Sequence, residues 1–185
     1  AATGVGNPIT AVLLAFRATD TLLEAIVLLF ALIGVWSLAP DRAWGGRPGP
    51  RYSADPDGMF AYLARVLPPI GIVVGAYIFW IGADLPGGKF QGATLLAAMW
   101  LLTVMAGLAD APPVSRRWLR VALVAGPVVF VAVGARGVAT AGAFLAYPEG
   151  YAKPLIIGVV FALMLSIGIA LGLLAAGPPA EGPRR

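Results

Sequence analysis

Three ionisable residues, Arg17, Asp20 and Glu24, interrupt an apolar stretch that runs over residues 7–39. Their spacing of three and four residues places all three side chains on one face of a helix, within reach of each other. A charged side chain at the middle of a membrane costs at least about 2.5 kcal/mol, so we expect these groups to pair with one another and to avoid lipid. A carboxylate beside an arginine can have its pKa set for binding and releasing a cation. Glu24, together with Asp20, is therefore a candidate for proton or sodium movement, with Arg17 as the adjusting charge.

A structural ion pair at an interfacial helix end explains the same three charges. Asp20 lies nearer to the predicted helix start than Glu24 does, and it can simply neutralise Arg17. The sequence favours ion movement because ionisable residues inside membrane helices usually mark ion pathways or proton relays.

The stretch that carries these charges is predicted to be a single helix. Asn7 is a favourable N-cap, Pro8 suits the first helical position, and no further strong helix breaker appears before Pro40. At a rise of about 1.5 Å per residue, such a helix is longer than the roughly 30 Å hydrocarbon core of a bilayer. We therefore expect the helix to tilt, to break, or to begin in the membrane interface.

The composition is that of an integral membrane protein. Of 185 residues, 59% are hydrophobic and only 12% are charged, and the mean hydropathy is +0.87. The net charge of +4 comes from basic residues in predicted loops, which bears on membrane topology and does not indicate nucleic-acid binding. The sequence contains no Cys and no His, so iron–sulfur, haem and zinc sites of the usual kinds are not expected. We expect no catalytic residue, no metal, no cofactor and no enzymatic activity in this chain by itself.

The hydrophobic pattern predicts an all-α, polytopic membrane protein with about five transmembrane helices. The predicted segments are the charged helix (residues 1–40), a loop rich in Pro, Gly and Arg (41–60), a four-helix membrane region (61–176) and a disordered tail (177–185). The spans predicted within the four-helix region are residues 61–83, 90–108, 118–133 and 154–176, with residues 138–153 at the membrane interface.

A glycine-rich connection, residues 83–93, joins the second and third spans and carries Asp84 and Lys89. Its glycines would let the backbone approach a partner subunit or a re-entrant path, which makes these two charges secondary site candidates. A plain reverse turn between antiparallel helices is the simpler explanation, and the spacing favours it. The connection is not a phosphate-binding loop, because no strand precedes the glycines and no GK[ST] ending follows them.

Basic residues are distributed unevenly between the predicted loops. Nine arginines fall on the side of the C-terminus, against four basic residues on the other side, Arg17 included. Because cytoplasmic loops carry an excess of Lys and Arg, we predict that the N-terminus lies outside and the C-terminus is cytoplasmic. The expected location is the bacterial cytoplasmic (inner) membrane, as a multi-pass protein. The nine are Arg42, Arg47, Arg51, Arg65, Arg116, Arg117, Arg120, Arg184 and Arg185.

Residues 11–38 resemble the C-terminal helix of the large A subunit of Mrp-type multisubunit Na⁺/H⁺ antiporters. The same element occurs as a small separate subunit of archaeal membrane-bound hydrogenases. The family pattern is a Phe-Arg pair, then Asp-Thr-Leu, then Glu. The matching residues here are Phe16, Arg17, Asp20, Thr21, Leu22 and Glu24, while Ala15 stands where the family usually has an acid.

Residues 82–102 are similar to the Pro-Gly-Gly-Gly-Phe-Gln-Gly-Gly turn of the Mrp B subunit and of its hydrogenase homologue. Lys89 replaces the third glycine and Ala93 the last one, and Gly158 lies in the region of the final span where many B subunits carry a carboxylate. If the acids of the family carry ions, this chain keeps the architecture and lacks part of the relay. The matching residues of the turn are Pro86, Gly87, Gly88, Phe90, Gln91 and Gly92.

The order of these two elements implies a fusion of an A-subunit-tail helix with a B-type subunit. The implied function is that of an integral membrane subunit in a multisubunit Na⁺/H⁺ antiporter complex, contributing to the ion pathway and to assembly. Two alternatives stay open: a membrane-arm subunit of an energy-converting hydrogenase or complex I-like oxidoreductase, and a structural scaffold subunit. In each case the expected partners are other membrane subunits and the lipid bilayer, with no nucleic acid.

Overall fold

The structure is a computed structural model that describes residues 5–13, 18–50, 52–53, 55, 57–85, 87–147 and 151–181. Its helices are α1 (Pro8–Ala11), α2 (Ala18–Ser37), α3 (Met59–Ile81), α4 (Lys89–Met105), α5 (Arg117–Ala141) and α6 (Ala152–Ala176). Its strands are β1 (Arg47–Pro48) and β2 (Pro179–Glu181). Three residues of the predicted motifs, Phe16, Arg17 and Pro86, lie outside the described residues.

The prediction of an all-α, polytopic membrane protein is confirmed. The helices α2, α3, α5 and α6 are each long and apolar enough to cross a membrane. With 17 residues, α4 is shorter, and its length of about 25 Å is slightly less than a typical hydrocarbon core. The most apolar helix, α6, packs against α2, α4 and α5 and is therefore the centre of the bundle.

Successive helices run in opposite directions. The residues that face each other show that α3 and α4 are antiparallel, that α4 and α6 are parallel, and that α5 and α6 are antiparallel. Leu32 of α2 and Leu173 of α6 belong to one buried cluster near the ends of both helices, so these two helices are parallel. The five helices α2 to α6 thus alternate as five successive membrane crossings would, and α4 counts among them although it is short. The facing residues are Gly71 with Met99, Gly82 with Gly88, Gly92 with Met164, Gly172 with Trp100, Gly126 with Leu163, and Leu123 with Ser166.

This alternation gathers the connections at two ends of the bundle. We call one the Asp84 end; it consists of residues 5–10, 82–85, 87–88 and 142–147. The other, the Arg47 end, consists of residues 38–50, 106–116 and 177–181. Each end is internally bonded: at the Arg47 end, Arg47 pairs with Asp110, and the Val114 N–H donates to the Gly46 carbonyl at 2.9 Å.

The first apolar stretch is not the single helix that the sequence predicts. Asn7 does cap a helix, since its side chain accepts from the Ile9 N–H at 3.0 Å, but α1 gives way to a π-helical turn at residues 12–13. The Thr21 hydroxyl of α2 donates to the Leu13 carbonyl at 2.8 Å. Residues eight apart in a straight α-helix lie about 12 Å apart along its axis, so Leu13 and Thr21 do not belong to one straight helix. The stretch breaks, which is one of the three ways in which an over-long helix can fit a membrane.

The C-terminal segment also differs from its prediction. Residues 179–181 form β2, which pairs antiparallel with β1, and the Gly49 N–H donates to the Pro178 carbonyl at 3.1 Å. The prediction of a disordered tail is therefore wrong for this part, because backbone groups of the loop after α2 offer the tail a partner. The remainder, residues 182–185, lies outside the described part of the chain.

The helix α5 continues to Ala141, eight residues beyond its predicted end at Val133, although it contains Pro127. A proline removes the N–H that would bond the carbonyl four residues earlier, here that of Leu123. The hydroxyl of Ser166 in α6 donates to this carbonyl. A side chain of the neighbouring helix thus satisfies the freed backbone group, which is how membrane helices tolerate proline.

Candidate functional site

An ion pair between Glu24 of α2 and Lys89 of α4 is the centre of the candidate site. The Lys89 Nζ donates to Glu24 Oε2 at 3.0 Å. The lysine side chain is only 9% exposed, whereas the glutamate side chain is 40% exposed. A nearly buried ammonium group thus meets a carboxylate that stays open toward the outside of this chain.

The position of Lys89 is set by the turn that precedes it. Gly88 has φ +146° and caps α4, so the backbone there is in a conformation that favours glycine. A Cβ on Gly87 would lie 2.7 Å from the Ile78 carbonyl oxygen, so the turn folds tightly against the last turn of α3. Because the turn is this compact, α4 begins beside α3, and its first side chain points into the bundle.

Lysine is electrostatically unfavourable as the first residue of a helix, because the helix N-terminus already carries partial positive charge. Two groups offset this at Lys89. One is the Glu24 carboxylate, and the other is the ring of Phe90, whose centroid lies 4.7 Å from the ammonium. The ammonium therefore has a second stabilising neighbour when its bond to Glu24 weakens.

The depth of the pair follows from helix geometry. Glu24 is the seventh residue of α2, which places it about 9 Å along the axis from Ala18. Lys89 opens α4 at the Asp84 end. The pair therefore lies inside the bundle near that end rather than at its middle.

Two of the three charges predicted to form one cluster are described by the structure. Asp20 lies one turn before Glu24 on α2, is partly buried and has an interaction partner. Arg17 lies outside the described residues, so its predicted pairing stays a prediction. The described partner of Glu24 is Lys89, which the sequence analysis gave only as a secondary candidate.

A cavity of about 210 Å³ adjoins the pair. It lies between the N-terminal segment, the α3–α4 turn and α6, and its walls include Thr10, Lys89, Phe90 and Gln91. Most of the other lining groups are apolar. Lys89 is the charged residue in the lining. The cavity thus places Lys89, and through it the ion pair with Glu24, beside a mostly apolar space at the Asp84 end.

The N-terminal segment is fixed to the turn by Asn7, which is 6% exposed. Its Nδ2 donates to the carbonyls of Gly82 at 3.2 Å and Leu85 at 2.7 Å, and its own N–H donates to Ala83 at 3.0 Å. The hydroxyl of Thr10 donates to the same Gly82 carbonyl at 2.7 Å. These bonds hold the short helix α1 over the turn and thereby close one side of the cavity.

Asp84, the other secondary candidate, takes part in a separate cross-link. Its carboxylate accepts from Lys153 Nζ at 2.8 and 2.9 Å and from the Gly6 N–H at 3.2 Å. The hydrogen bond from Lys153, followed by that from Gly6, lowers the pKa of Asp84 below its ordinary value of 3.8. Asp84 therefore stays ionised and joins the N-terminal segment to α6 in a cross-link separate from the Glu24–Lys89 pair.

The remaining turn residues are packed closely rather than arranged as a ligand set. A Cβ on Gly92 would lie 3.1 Å from the Gly75 carbonyl oxygen and 2.9 Å from the Met164 sulfur, so Gly92 is where α4 meets both α3 and α6. Within the described residues there is no group of three or more His, Cys, Asp or Glu that could hold a metal ion. The connection is a reverse turn between antiparallel helices, and it also positions Lys89.

Sequence reasoning missed the Glu24–Lys89 pair because the partners are 65 positions apart. A signal was nevertheless present. Each of these residues is a charge in or beside an apolar helix, and opposite charges in such positions are expected to neutralise each other.

Comparisons with known proteins show which family the chain belongs to and which membrane complexes contain similar chains. The family described as "Domain related to MnhB subunit of Na⁺/H⁺ antiporter" matches residues 59–177. A chain of the membrane-bound sulfane sulfur reductase, an archaeal respiratory membrane complex, has a similar structure, with a TM-score of 0.76 and 26% identity over 94% of this chain and 78% of that one. No curated protein sequence is significantly similar to this chain.

A chain of the Mrp complex from Dietzia sp. DQ12-45-1b is also similar, with a TM-score of 0.64 and 26% identity. The similarity covers 99% of this chain and 22% of the Dietzia chain. The present chain therefore spans about a fifth of that longer protein.

Proposed function

This chain belongs to the family of domains related to the MnhB subunit of Na⁺/H⁺ antiporters, and from that premise we propose that it is a membrane subunit of a multisubunit Na⁺/H⁺ antiporter complex in which Glu24 and Lys89 border the ion path. The observation that carries the proposal is a lysine with 9% exposure bonded to a carboxylate with 40% exposure inside an apolar bundle. An isolated charge there would be costly, and paired intramembrane charges commonly line ion pathways.

The asymmetry of the pair suggests how it works. The carboxylate is accessible from outside this chain, so a proton or Na⁺ arriving from a neighbouring subunit reaches Glu24 first. Once the negative charge of Glu24 is neutralised, the bond to Lys89 weakens, and the ammonium keeps the face of Phe90 as a neighbour. The pair then re-forms when the cation leaves, so Lys89 competes with the cation for the Glu24 carboxylate and favours its release.

Exchanging the two charges tests whether the pair conducts ions or only holds helices together. In the double variant Glu24→Lys, Lys89→Glu, opposite charges still face each other, and the glutamate at the start of α4 suits the helix dipole. We expect the complex to assemble normally and its Na⁺-dependent proton exchange in membrane vesicles to stay below about a tenth of the wild-type rate, since the exposed carboxylate is gone. The single variant Lys89→Gln serves as the control that breaks the pair. Wild-type Na⁺/H⁺ exchange activity in the double variant with swapped charges would contradict the ion-path assignment.

A second function is favoured by the structural similarity to the sulfane sulfur reductase chain, which covers 78% of that chain. It is a membrane subunit of a redox-driven respiratory complex, with all cofactors in partner subunits. The two functions are separated by the subunits that co-purify with this chain. Iron–sulfur subunits identified by mass spectrometry would assign it to the redox complex, and their absence from an intact, active complex would assign it to the antiporter.

We further propose that the chain combines an A-subunit-tail helix with a B-type region. The similarity to the longer Dietzia chain supports this origin, because it covers 99% of this chain and so includes both parts. The family match begins at residue 59, so it covers only the second part.

The proposed orientation places the Arg47 end in the cytoplasm. Support comes from the arginines that the structure gathers there, and the test exploits the absence of native cysteine. Ser115→Cys lies at the Arg47 end and Ala143→Cys at the Asp84 end, and both positions are exposed. We expect a membrane-impermeant maleimide to label Ala143→Cys on intact cells and Ser115→Cys only after the membrane is opened. The reverse pattern would invert the proposed topology.

A further inference from the structure

A second cavity, of about 360 Å³, lies at the Arg47 end between α2 and α5, away from the Glu24–Lys89 pair. It is too large for one or two waters, since each occupies about 30 Å³ of liquid. Its walls are mostly apolar, so a cluster of waters would lack hydrogen-bond partners there. The cavity therefore suits an elongated molecule with a large apolar part.

The polar side chains that line this cavity are all hydrogen-bond donors. They are Trp36, Trp44 and Arg120, and no carboxylate lines the cavity in the described part of the chain. The indole Nε1 of Trp36 is buried and finds no acceptor among the described residues, and buried donors of this kind normally have one. Arg120 uses its Nε to donate to the Val114 carbonyl at 3.0 Å, which fixes the guanidinium at the cavity rim.

The lining is also ordered from polar to apolar. Trp36 and Arg120 lie near the Arg47 end, whereas Leu29 lies seven residues earlier on α2, about 10 Å deeper in the bundle. Between these levels the walls are formed by side chains such as Ile33 and Val124. An occupant therefore needs an anionic or acceptor head at the Arg47 end and a hydrocarbon tail that points toward the middle of the membrane.

We propose that this cavity binds an anionic phospholipid of the leaflet at the Arg47 end, with its phosphate on Arg120 and the indole N–H of Trp36 and one acyl chain along Ile33 and Val124. Charge complementarity supports this occupant. Two further exposed arginines, Arg116 and Arg117, lie about one helical turn before Arg120 at the start of α5. Basic pockets between membrane helices are suited to anionic lipid head groups, and Trp residues favour the membrane interface.

The test measures bound lipid and requires no ion exchange, so it is independent of the proposed function. The complex containing this chain is purified, stripped of lipid and exposed to equimolar phosphatidylglycerol and phosphatidylcholine, and retained lipid is counted by native mass spectrometry. We expect wild type to prefer phosphatidylglycerol. Arg120→Gln should reduce its retention about fivefold, which corresponds to about 1 kcal/mol for one arginine near a membrane surface.

Two matched variants sharpen this test. Arg42→Gln removes an exposed arginine at the same end that does not line the cavity, and it should retain phosphatidylglycerol as wild type does. Trp36→Phe keeps a ring and removes only the N–H, so its retention should fall between those of wild type and Arg120→Gln. Equal retention of the two lipids by wild type, or equal losses in Arg120→Gln and Arg42→Gln, would overturn the proposal. So would a photo-crosslinker at Ile33 that captures a partner subunit instead of lipid.

Discussion

Replacing Glu24 with glutamine is expected to reduce Na⁺/H⁺ exchange by the complex about tenfold or more while the complex still assembles. Glutamine keeps the size of the side chain and an oxygen that can accept from Lys89 Nζ, now 3.0 Å from the carboxylate. The Phe90 ring also stays beside the ammonium. Packing is therefore preserved, and what is lost is the negative charge that binds and releases a cation. The measurement is Na⁺-induced collapse of a proton gradient in inverted membrane vesicles, normalised to assembled complex.

Asp84→Asn is the matched control for this variant. It also replaces a carboxylate paired with a lysine, but the side chains of Asp84 and Lys153 are 51% and 42% exposed, and Asp84 lies in the turn between α3 and α4, outside the membrane-spanning helices. We expect near-normal exchange in this control. Full exchange in Glu24→Gln would reject Glu24 as part of the ion path. Poor assembly combined with normal exchange per assembled complex would instead identify the Glu24–Lys89 pair as a structural lock, which is the scaffold alternative.

Of all the substitutions considered, Gly126→Leu is expected to cause the largest loss of stability of this chain. A Cβ at this position would lie 2.8 Å from the Ser166 Cβ and 3.0 Å from the Leu163 Cα, so α5 and α6 are too close for a side chain. Overpacking of this kind usually costs about 1–3 kcal/mol, and here the obstacle is largely backbone. The displacement would also separate Ser166 from the Leu123 carbonyl that Pro127 leaves free. We expect a lower melting temperature of the purified complex and a lower level of the chain in membranes.

Gly34→Leu is the control for this substitution. Gly34 lies on α2 and has no heavy atom within 4 Å of a built Cβ in the described structure. The same change should therefore leave the packing of this chain intact. Equal destabilisation by the two variants would show that the contact between α5 and α6 at Gly126 is not critical.

The spans could be predicted closely because they depend on local sequence. Continuous apolar runs and their flanking polar residues placed α3, α4 and α6 within a few residues of their observed bounds. The end of α5 was predicted too early, at Val133, whereas the helix ends at Ala141. The structure continues the helix beyond Val133, since Ser166 compensates for Pro127 and nothing else interrupts the backbone bonding before Gly142.

The break in the first apolar stretch could not be predicted in the same way. Asn7 and Pro8 mark a helix start, and no further strong helix breaker follows before Pro40. What shortens α1 is its attachment to another part of the chain: Asn7 and Thr10 are bonded to the α3–α4 turn, more than 70 positions away. Local propensity contains no information on such a bond.

The amino-acid sequence by itself determined that this protein is an all-α membrane protein, where most of its long helices lie, and that Glu24 is a costly charge in need of a partner. The length of an apolar segment, its helix caps and the free-energy cost of a charge within the membrane are properties of single segments. Only the tertiary structure decided that the described partner is Lys89 and that β2 closes against β1. These contacts join residues far apart in the chain, and they exist because α6 packs against α2, α4 and α5 and so fixes which helix ends meet.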